Sequence, residues 1–451
     1  DTSVTYDTTG ADSHTAAVTV DNADQDGAVG FSCTYSDLAG NAIASAITSA
    51  TSGSVTIDNT HPTATAVTIA VSGTGNANDG DVVTLTIDPS ETVGTPTCTW
   101  TDGSGAMEDT SVTYDTTGAD SHTAAVTVNN ADQDGAIAFS CTFSDSAGNA
   151  VTSAVTALTA GSAITIDNTH PTLTAVGIAV DNTGNANNGD DVTLTFTASE
   201  TVSAPTCTFT SGGDAMADGS ITVANPSGNQ WTCVADVADA DTDGTVAFSI
   251  AFTDSAGNAG SAVSTVTDST TVTVDNTHPT LTNIVMSTDG NTGYAKSGNT
   301  ISLAITVSES VTSLACTIDG EAAQMGGSGT SWTAALQISG DEAAGSAGFS
   351  CGSHVDAAGN VGSADTSADT GSVIIDYTAP TSTSAVIATS GSGNANDADV
   401  VTLTLNPSET VGAPTCTWTD GSGAMADTSV TYGTTGDDSH TAAVTVDNAD
   451  Q

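Results

Sequence analysis

The chain has 451 residues, too many for one compact domain at roughly 100–200 residues each, and its 53 Asp and Glu face a single basic residue, Lys296, for a formal charge of −52. That balance excludes nucleic acid and anionic lipid as partners and removes enzymes that grip phosphate or carboxylate with Arg or Lys. Hydrophobic residues make up 37% and lie in short runs, so no stretch offers the ~20 apolar residues of a membrane-spanning helix.

Self-comparison sets the organisation. Asp-Asn-Thr-His-Pro-Thr begins at Asp58, Asp167 and Asp275 and returns as Asp-Tyr-Thr-Ala-Pro-Thr at Asp376, at spacings of 109, 108 and 101 residues. Asp-x-Ala-Gly-Asn keeps step at Asp37, Asp145, Asp254 and Asp356. The expected domains are 58–166, 167–274 and 275–375, flanked by the C-terminal half of one at 1–57 and the N-terminal part of another at 376–451. Residues 1–25 match 427–451 at all but two positions, an offset of 426 that corresponds to four domains, so the chain reads as a window of a longer repeat protein.

Within a repeat, Thr, Val and Ile alternate with polar residues and no 3.6-residue period persists, which predicts strands. In residues 58–166 these are A at 65–71, B at 82–87, C at 97–100, D near 111–114, E at 123–128, F at 136–143 and G in two pieces ending at 166. Clusters of Gly, Asn and Asp separate them as turns. Seven short strands in a repeat of this length predict an all-β fold of tandem immunoglobulin-like sandwiches arranged as an elongated array.

The order of motifs carries a resemblance. A Ser-Glu-Thr-Val turn after B, an Asp-Gly turn before F, Asp-Ser-Ala-Gly-Asn after F and Ile-Asp-Asn-Thr-His-Pro-Thr at the exit resemble the tandem immunoglobulin-like repeats of giant bacterial surface adhesins, including the extender regions of RTX-type adhesins. The resemblance implies an extracellular, calcium-rigidified stalk whose metal sits at the domain junctions. The paired cysteines and the near-absence of Lys and Arg depart from that pattern.

Cys98 and Cys141 fall on C and F, and Cys316 and Cys351 repeat the arrangement. In the domain starting at Asp167, Cys207 stays on C, Ile250 takes the F position, and Cys233 appears on E. The partner moves but the pair survives, as a disulfide requires, giving Cys98–Cys141, Cys207–Cys233 and Cys316–Cys351 and an oxidising compartment outside the cytoplasm. The competing reading is a free core thiol packed as a small hydrophobe.

Acidic loops supply the candidate cation ligands. In this topology the B–C and F–G loops lie where the chain enters a domain, and A–B and E–F where it leaves. Asp58, Glu91, Asp145 and Asn149 therefore converge on one junction, and the set recurs as Asp167, Glu200, Asp254 and Asn258, as Asp275, Glu309, Asp356 and Asn360, and as Asp376 with Glu409. Oxygen donors in this number suit Ca²⁺. A second tier lies in the E–F loops: Asp24 and Asp26; Asp132 and Asp134; Asp239, Asp241 and Asp243. The alternative is that these residues only build turns and solvate the chain.

No nucleophile, glutamate pair or histidine set forms a catalytic constellation. The sequence thus reads as a non-enzymatic cell-surface adhesin stalk, with a subunit of a self-assembling extracellular filament or surface layer as the alternative. Partners on this reading are neighbouring domains or copies of the chain, and a cell-surface, carbohydrate or substratum ligand outside this stretch.

Overall fold

The structure, a computed structural model, describes residues 4–446 except 11, 110, 119, 218–219, 422, 426–428 and 437–438. Among these residues the regular elements are all strands, and none is a helix. The chain divides into two compact units, Asp1–Thr277 and His278–Gln451.

In the first unit, strands A (Ala64–Val71), B (Val82–Pro89), E (His122–Thr127) and D (Thr113–Thr116) form an antiparallel sheet in the order A-B-E-D. Facing it, C (Thr97–Thr101) pairs with F (Ala138–Thr142), and G joins F through the Cys141–Val155 bridge and the Gly135–Ala136 pairing with Thr165–Ile166. This A-B-E-D and C-F-G division is the immunoglobulin-like sandwich. Alternation builds the core: Val83, Leu85 and Ile87, at every second position of B, are wholly buried against Trp100, Phe139 and Cys141. F breaks at Ile137, whose N–H donates to Ile164 of strand G (2.9 Å).

The next repeat has the same A-B-E-D order, from Leu173–Val180, Asp191–Ala198, Gln230–Asp236 and Thr222–Ser227, with C (Thr206–Ser211) against F (Gly244–Ala251). Before residue 58 stand a D–E hairpin, Thr5–Gly10 with Ser13–Ala17, and F–G pairings at Gly27–Ala28 with Thr56–Ile57 and at Cys33 with Ile47.

In the second unit, A (Leu281–Thr288), B (Thr300–Val311) and a long E (Gln324–Gln337) form a three-stranded sheet, and C (Ser313–Ile318) pairs with F (Phe349–Val355). D and E are here one continuous segment that folds back on itself: a Cβ on Gly326 would stand 2.9 Å from Thr333 Oγ1, and one on Gly327 would meet the Ser331 carbonyl. The hairpin is tight because the chain is short, with only 16 positions between Cys316 and Trp332 against 24 from Cys207 to Trp231. That shortening by 8 covers the 7 residues by which the 101-residue spacing falls below 108. Residues 376–446 again give A-B-E-D, from Ser382–Thr389, Val400–Pro407, Ser439–Thr445 and Thr431–Gly436.

Three disulfides close as the spacing predicts: Cys98–Cys141, Cys207–Cys233 and Cys316–Cys351. Cys98 and Cys141 are directly opposed on C and F. Cys141 turns its N–H and C=O to Val155 on G (3.0 and 2.8 Å), so it faces Cys98 in a non-hydrogen-bonded pair, where side chains approach most closely. Ile250 holds the equivalent place opposite Cys207, and Cys233, wholly buried on E, reaches Cys207 from the other sheet.

Candidate metal centre

Each Asp-x-Ala-Gly-Asn segment folds into a loop closed by its own aspartate. Asp145 Oδ1 accepts the N–H groups of Gly148 (2.7 Å) and Asn149 (2.8 Å), and Oδ2 accepts Asn149 Nδ2 (2.8 Å). Asn149 Nδ2 also donates to the Asp58 carbonyl (2.8 Å), tying the linker to the loop. Asp254 and Asn258 repeat the arrangement around the Asp167 carbonyl (2.7 Å). In the second unit Asp356 accepts from Gly359 (2.7 Å) and Asn360 (2.9 Å) in the same way. Asn149 and Asn258 therefore share their NH₂ groups between the linker carbonyl and the aspartate of their own loop.

Linker, B–C loop and F–G loop bring one carboxylate oxygen each from Asp58, Glu91 and Asp145 within 4.8 Å of one another, and likewise from Asp167, Glu200 and Asp254. Of the third set, Asp275 belongs to the first unit, and Glu309, Asp356 and Asn360 to the second. Asp376 Oδ1 accepts the Thr378 N–H (2.8 Å), and Asp376 and Glu409 form no such trio among the described residues.

Electrostatics at the trios separate the glutamates from Asp145. Burial pushes the Glu91 carboxyl up from its ordinary range, helped by Asp58, Asp145 and Asp26. Burial, then Asp167, Asp254 and Asp134, do the same to Glu200. Burial also acts upward on Asp145, but hydrogen bonds from the Asn149 side chain and backbone outweigh it and lower its carboxyl. The first trio thus sets Asp145, its carboxyl lowered, beside Glu91, whose charge is disfavoured, and Glu200 is disfavoured in the same way in the second, in a chain whose one lysine is Lys296.

The residues fit a calcium ion. Two oxygens bound to one Ca²⁺ at 2.3–2.6 Å lie at most ~5 Å apart, which the 4.8 Å clusters satisfy. Asp58, Glu91 and Asp145 would hold one ion, and Asp167, Glu200 and Asp254 another.

The second-tier aspartates join no cluster of three such ligands among the described residues. Asp132, 2% exposed, accepts the N–H groups of Glu108 (2.8 Å) and Asn129 (2.9 Å). Asp241 does the same for Ala217 and Ala238, and Asp24 for Asp21. Asp26, Asp134 and Asp243 grip the linker that follows, accepting the N–H of Asn59 (2.7 Å), Asn168 (2.6 Å) and Asn276 (2.6 Å) and the hydroxyls of Thr60, Thr169 and Thr277. Asp239 is exposed.

One contact escapes the sequence reading. The A–B loop of residues 58–166 reaches the next repeat, where Asn78 Nδ2 donates to Asn258 Oδ1 (3.3 Å). Gly75, at φ +91°, lies so close to the Ser255 carbonyl that a Cβ would stand 2.6 Å from the oxygen. The signal was present: Gly-Asn-Ala-Asn recurs at 75–78, 184–187 and 393–396.

No family model and no curated protein matches the chain. Solved structures similar to it are arrays of immunoglobulin-like domains. The I-band fragment I67–I69 from titin is 9% identical, with a TM-score of 0.29, covering 68% of this chain and 97% of its own. The mouse nectin-like molecule 4 full ectodomain (Ig1–Ig3) is 11% identical, with a TM-score of 0.23, covering 68% and 98%. The tandem Ig repeats of Dlar are 13% identical, with a TM-score of 0.16, covering 48% and 99%.

Proposed function

We propose that this chain is a non-enzymatic structural array outside the cell, the stalk of a surface adhesin, in which calcium bound between repeats limits their bending. The observation that carries this is the recurrence of the trio: Asp58, Glu91 and Asp145, then Asp167, Glu200 and Asp254, in the same local geometry without a basic partner. Bound calcium supplies the positive charge that the chain lacks. The residues do the rest. Asp145 and Asp254 fix the loop, Asn149 and Asn258 hold the linker to it, and Glu91 and Glu200 bring the third carboxylate from the B–C turn. Three disulfides support an oxidising setting. Extracellular modules often bind calcium at ~10⁻⁴–10⁻³ M, so millimolar calcium is the condition to test.

Thermal unfolding with calcium and with chelator, read beside small-angle scattering, tests the reading. The expected result is a higher midpoint and a narrower spread of end-to-end distances with calcium. An unchanged midpoint and an unchanged distance distribution overturn it.

A further inference from the structure

At the joints inside the first unit the linker is held residue by residue. Asn59 and Thr60 bind Asp26, Asn59 Nδ2 donates to the carbonyls of Asp21 (3.3 Å) and Asp24 (3.1 Å), and His61 Nδ1 lies 2.6 Å from the Ala150 carbonyl. One repeat later Asn168 and Thr169 bind Asp134, Asn168 Nδ2 donates to the carbonyls of Asn129 (3.0 Å) and Asp132 (2.9 Å), and His170 Nδ1 lies 2.8 Å from the Ala259 carbonyl. The A–B loop adds two amides there, Asn76 to Asp167 Oδ2 (3.5 Å) and Asn78 to Asn258 Oδ1 (3.3 Å).

The joint at 376–381, inside the second unit, keeps both ends of this arrangement and loses the middle. The Asp376 N–H donates to the Ala295 carbonyl (2.9 Å), as that of Asp167 does to Ala77 (2.9 Å). The Thr381 N–H donates to Ser408 Oγ (2.9 Å), as that of Thr172 does to Ser199 (3.0 Å). Between these anchors the gripping residues are exchanged. Ala344 precedes Gly345 (φ +137°) as Asp134 precedes Gly135 (φ +145°), so the turn is the same and only the carboxylate is gone. Tyr377 replaces Asn168, and Ala379 replaces His170.

The A–B loop changes at the matching places. Ala77 pairs in parallel with Ile166 and Ala295 with Ile375, and this register puts Tyr294 in place of Asn76 and the chain's one lysine, Lys296, in place of Asn78. What remains on residues 377–379 is the Tyr377 hydroxyl on Glu342 Oε2 (3.0 Å), at the far end of a long side chain, and the Thr378 N–H on Asp376 Oδ1 (2.8 Å), within the linker itself.

We infer that residues 377–379 form a hinge, freer than the corresponding residues 59–61 and 168–170. A main-chain N–H bound to a carboxylate fixes the backbone directly through a charge-assisted bond, whereas a bond made by a tyrosine hydroxyl leaves the backbone free to move as the side chain turns about its own torsions. Lys296, exposed and on a flexible four-carbon stem, holds a partner less rigidly than the short Asn78 amide. Hinges are a few loop residues between packed bodies that absorb changes in φ and ψ. Here Asp376 and Thr381, anchored to opposite repeats, mark its two ends. The hinge requires no metal and is tested in chelator, so it and the calcium reading fail separately.

Amide hydrogen exchange of the full chain in chelator, read by mass spectrometry and corrected for local sequence, compares the three linkers. Residues 377–379 should exchange at least ~10-fold faster than 59–61 and 168–170, the effect of one lost hydrogen bond to a charged group. Ala344→Asp combined with Tyr377→Asn rebuilds the clamp on an exposed turn and should slow exchange at 377–379 by a similar factor, and Asp134→Ala should speed it at 168–170. Bending is read separately. In a Cys33→Ser chain, spin labels on Cys416 and on Thr366→Cys span the joint, and their distance distribution should narrow when the clamp is rebuilt. Equal exchange at the three linkers, or a distance distribution unchanged by the rebuilt clamp, overturns the inference.

Discussion

At Glu200 the carboxyl is raised first by burial and then by Asp167, Asp254 and Asp134, and the sign of the stability effect follows. A carboxyl whose folded pKa lies above its unfolded value binds its proton more tightly when folded, so folding is favoured below that range and penalised as pH rises through it. In chelator, the first unit should therefore gain stability as pH falls from neutrality toward the ordinary glutamate value of 4.5. Asp102 acts oppositely, held at about 2 by the Gln133 N–H and then, against the upward pull of burial, by Ser104 and Gly105. Its contribution is present above 3.8 and is lost as pH falls toward 2. Denaturant titrations across pH in chelator should give a maximum in weak acid, and a monotonic rise to neutrality would refute the assignment. Calcium at about 100 times its Kd stabilises by about 2.7 kcal/mol per site. Glu200→Gln should abolish most of the calcium gain at its site while leaving the chelated protein as stable or more so, read as the difference between two melting curves.

The elements were the most legible part, because alternation is enforced by burial along every strand. B is read at 82–87 and stands at Val82–Pro89; E is read at 123–128 and stands at His122–Thr127. The cysteine pairs were legible because C and F positions recur at fixed places, and the shift from F to E at Cys233 was visible as a substitution of Ile250. Less legible were features fixed by contacts distant in sequence: the break at Ile137, set by Ile164 on G, and the bond from Asn78 to Asn258, set by the neighbouring repeat. The carboxylate trios were placed by topology, but the closed loop that makes Asn149 a clamp for the Asp58 carbonyl needed coordinates. Gly75→Ala should weaken this contact by about 1–3 kcal/mol through its left-handed backbone and the Ser255 carbonyl. The check is earlier proteolysis at the linker following Asp167, with the melting of the isolated repeat cores little changed. Removing Cys98–Cys141, whose loop spans 43 residues, should cost about 4 kcal/mol on the chain-entropy model, and Cys207–Cys233, spanning 26, about 3.5. Urea titration of the paired Cys→Ser variants measures both.

Across the whole molecule the same sandwich is written several times with small edits, and the edits separate the repeats. The stretch 275–375 runs D and E together in one tight hairpin, and its following linker is held differently: the Tyr377 hydroxyl donates to Glu342 Oε2 (3.0 Å), on a carboxylate kept at about 2 by Ser339 first. The two bridge geometries have a mechanical consequence. When a chain is stretched from its two ends, the segment inside a covalent loop cannot lengthen. Cys98–Cys141 shelters 43 residues and Cys207–Cys233 only 26, a difference of 17. At ~3.5 Å per extended residue, rupture of the repeat holding the shorter loop should release about 6 nm more thread. A force spectrometer would see this longer step in an oxidised molecule, and reductant would bring the steps of the 109- and 108-residue repeats together.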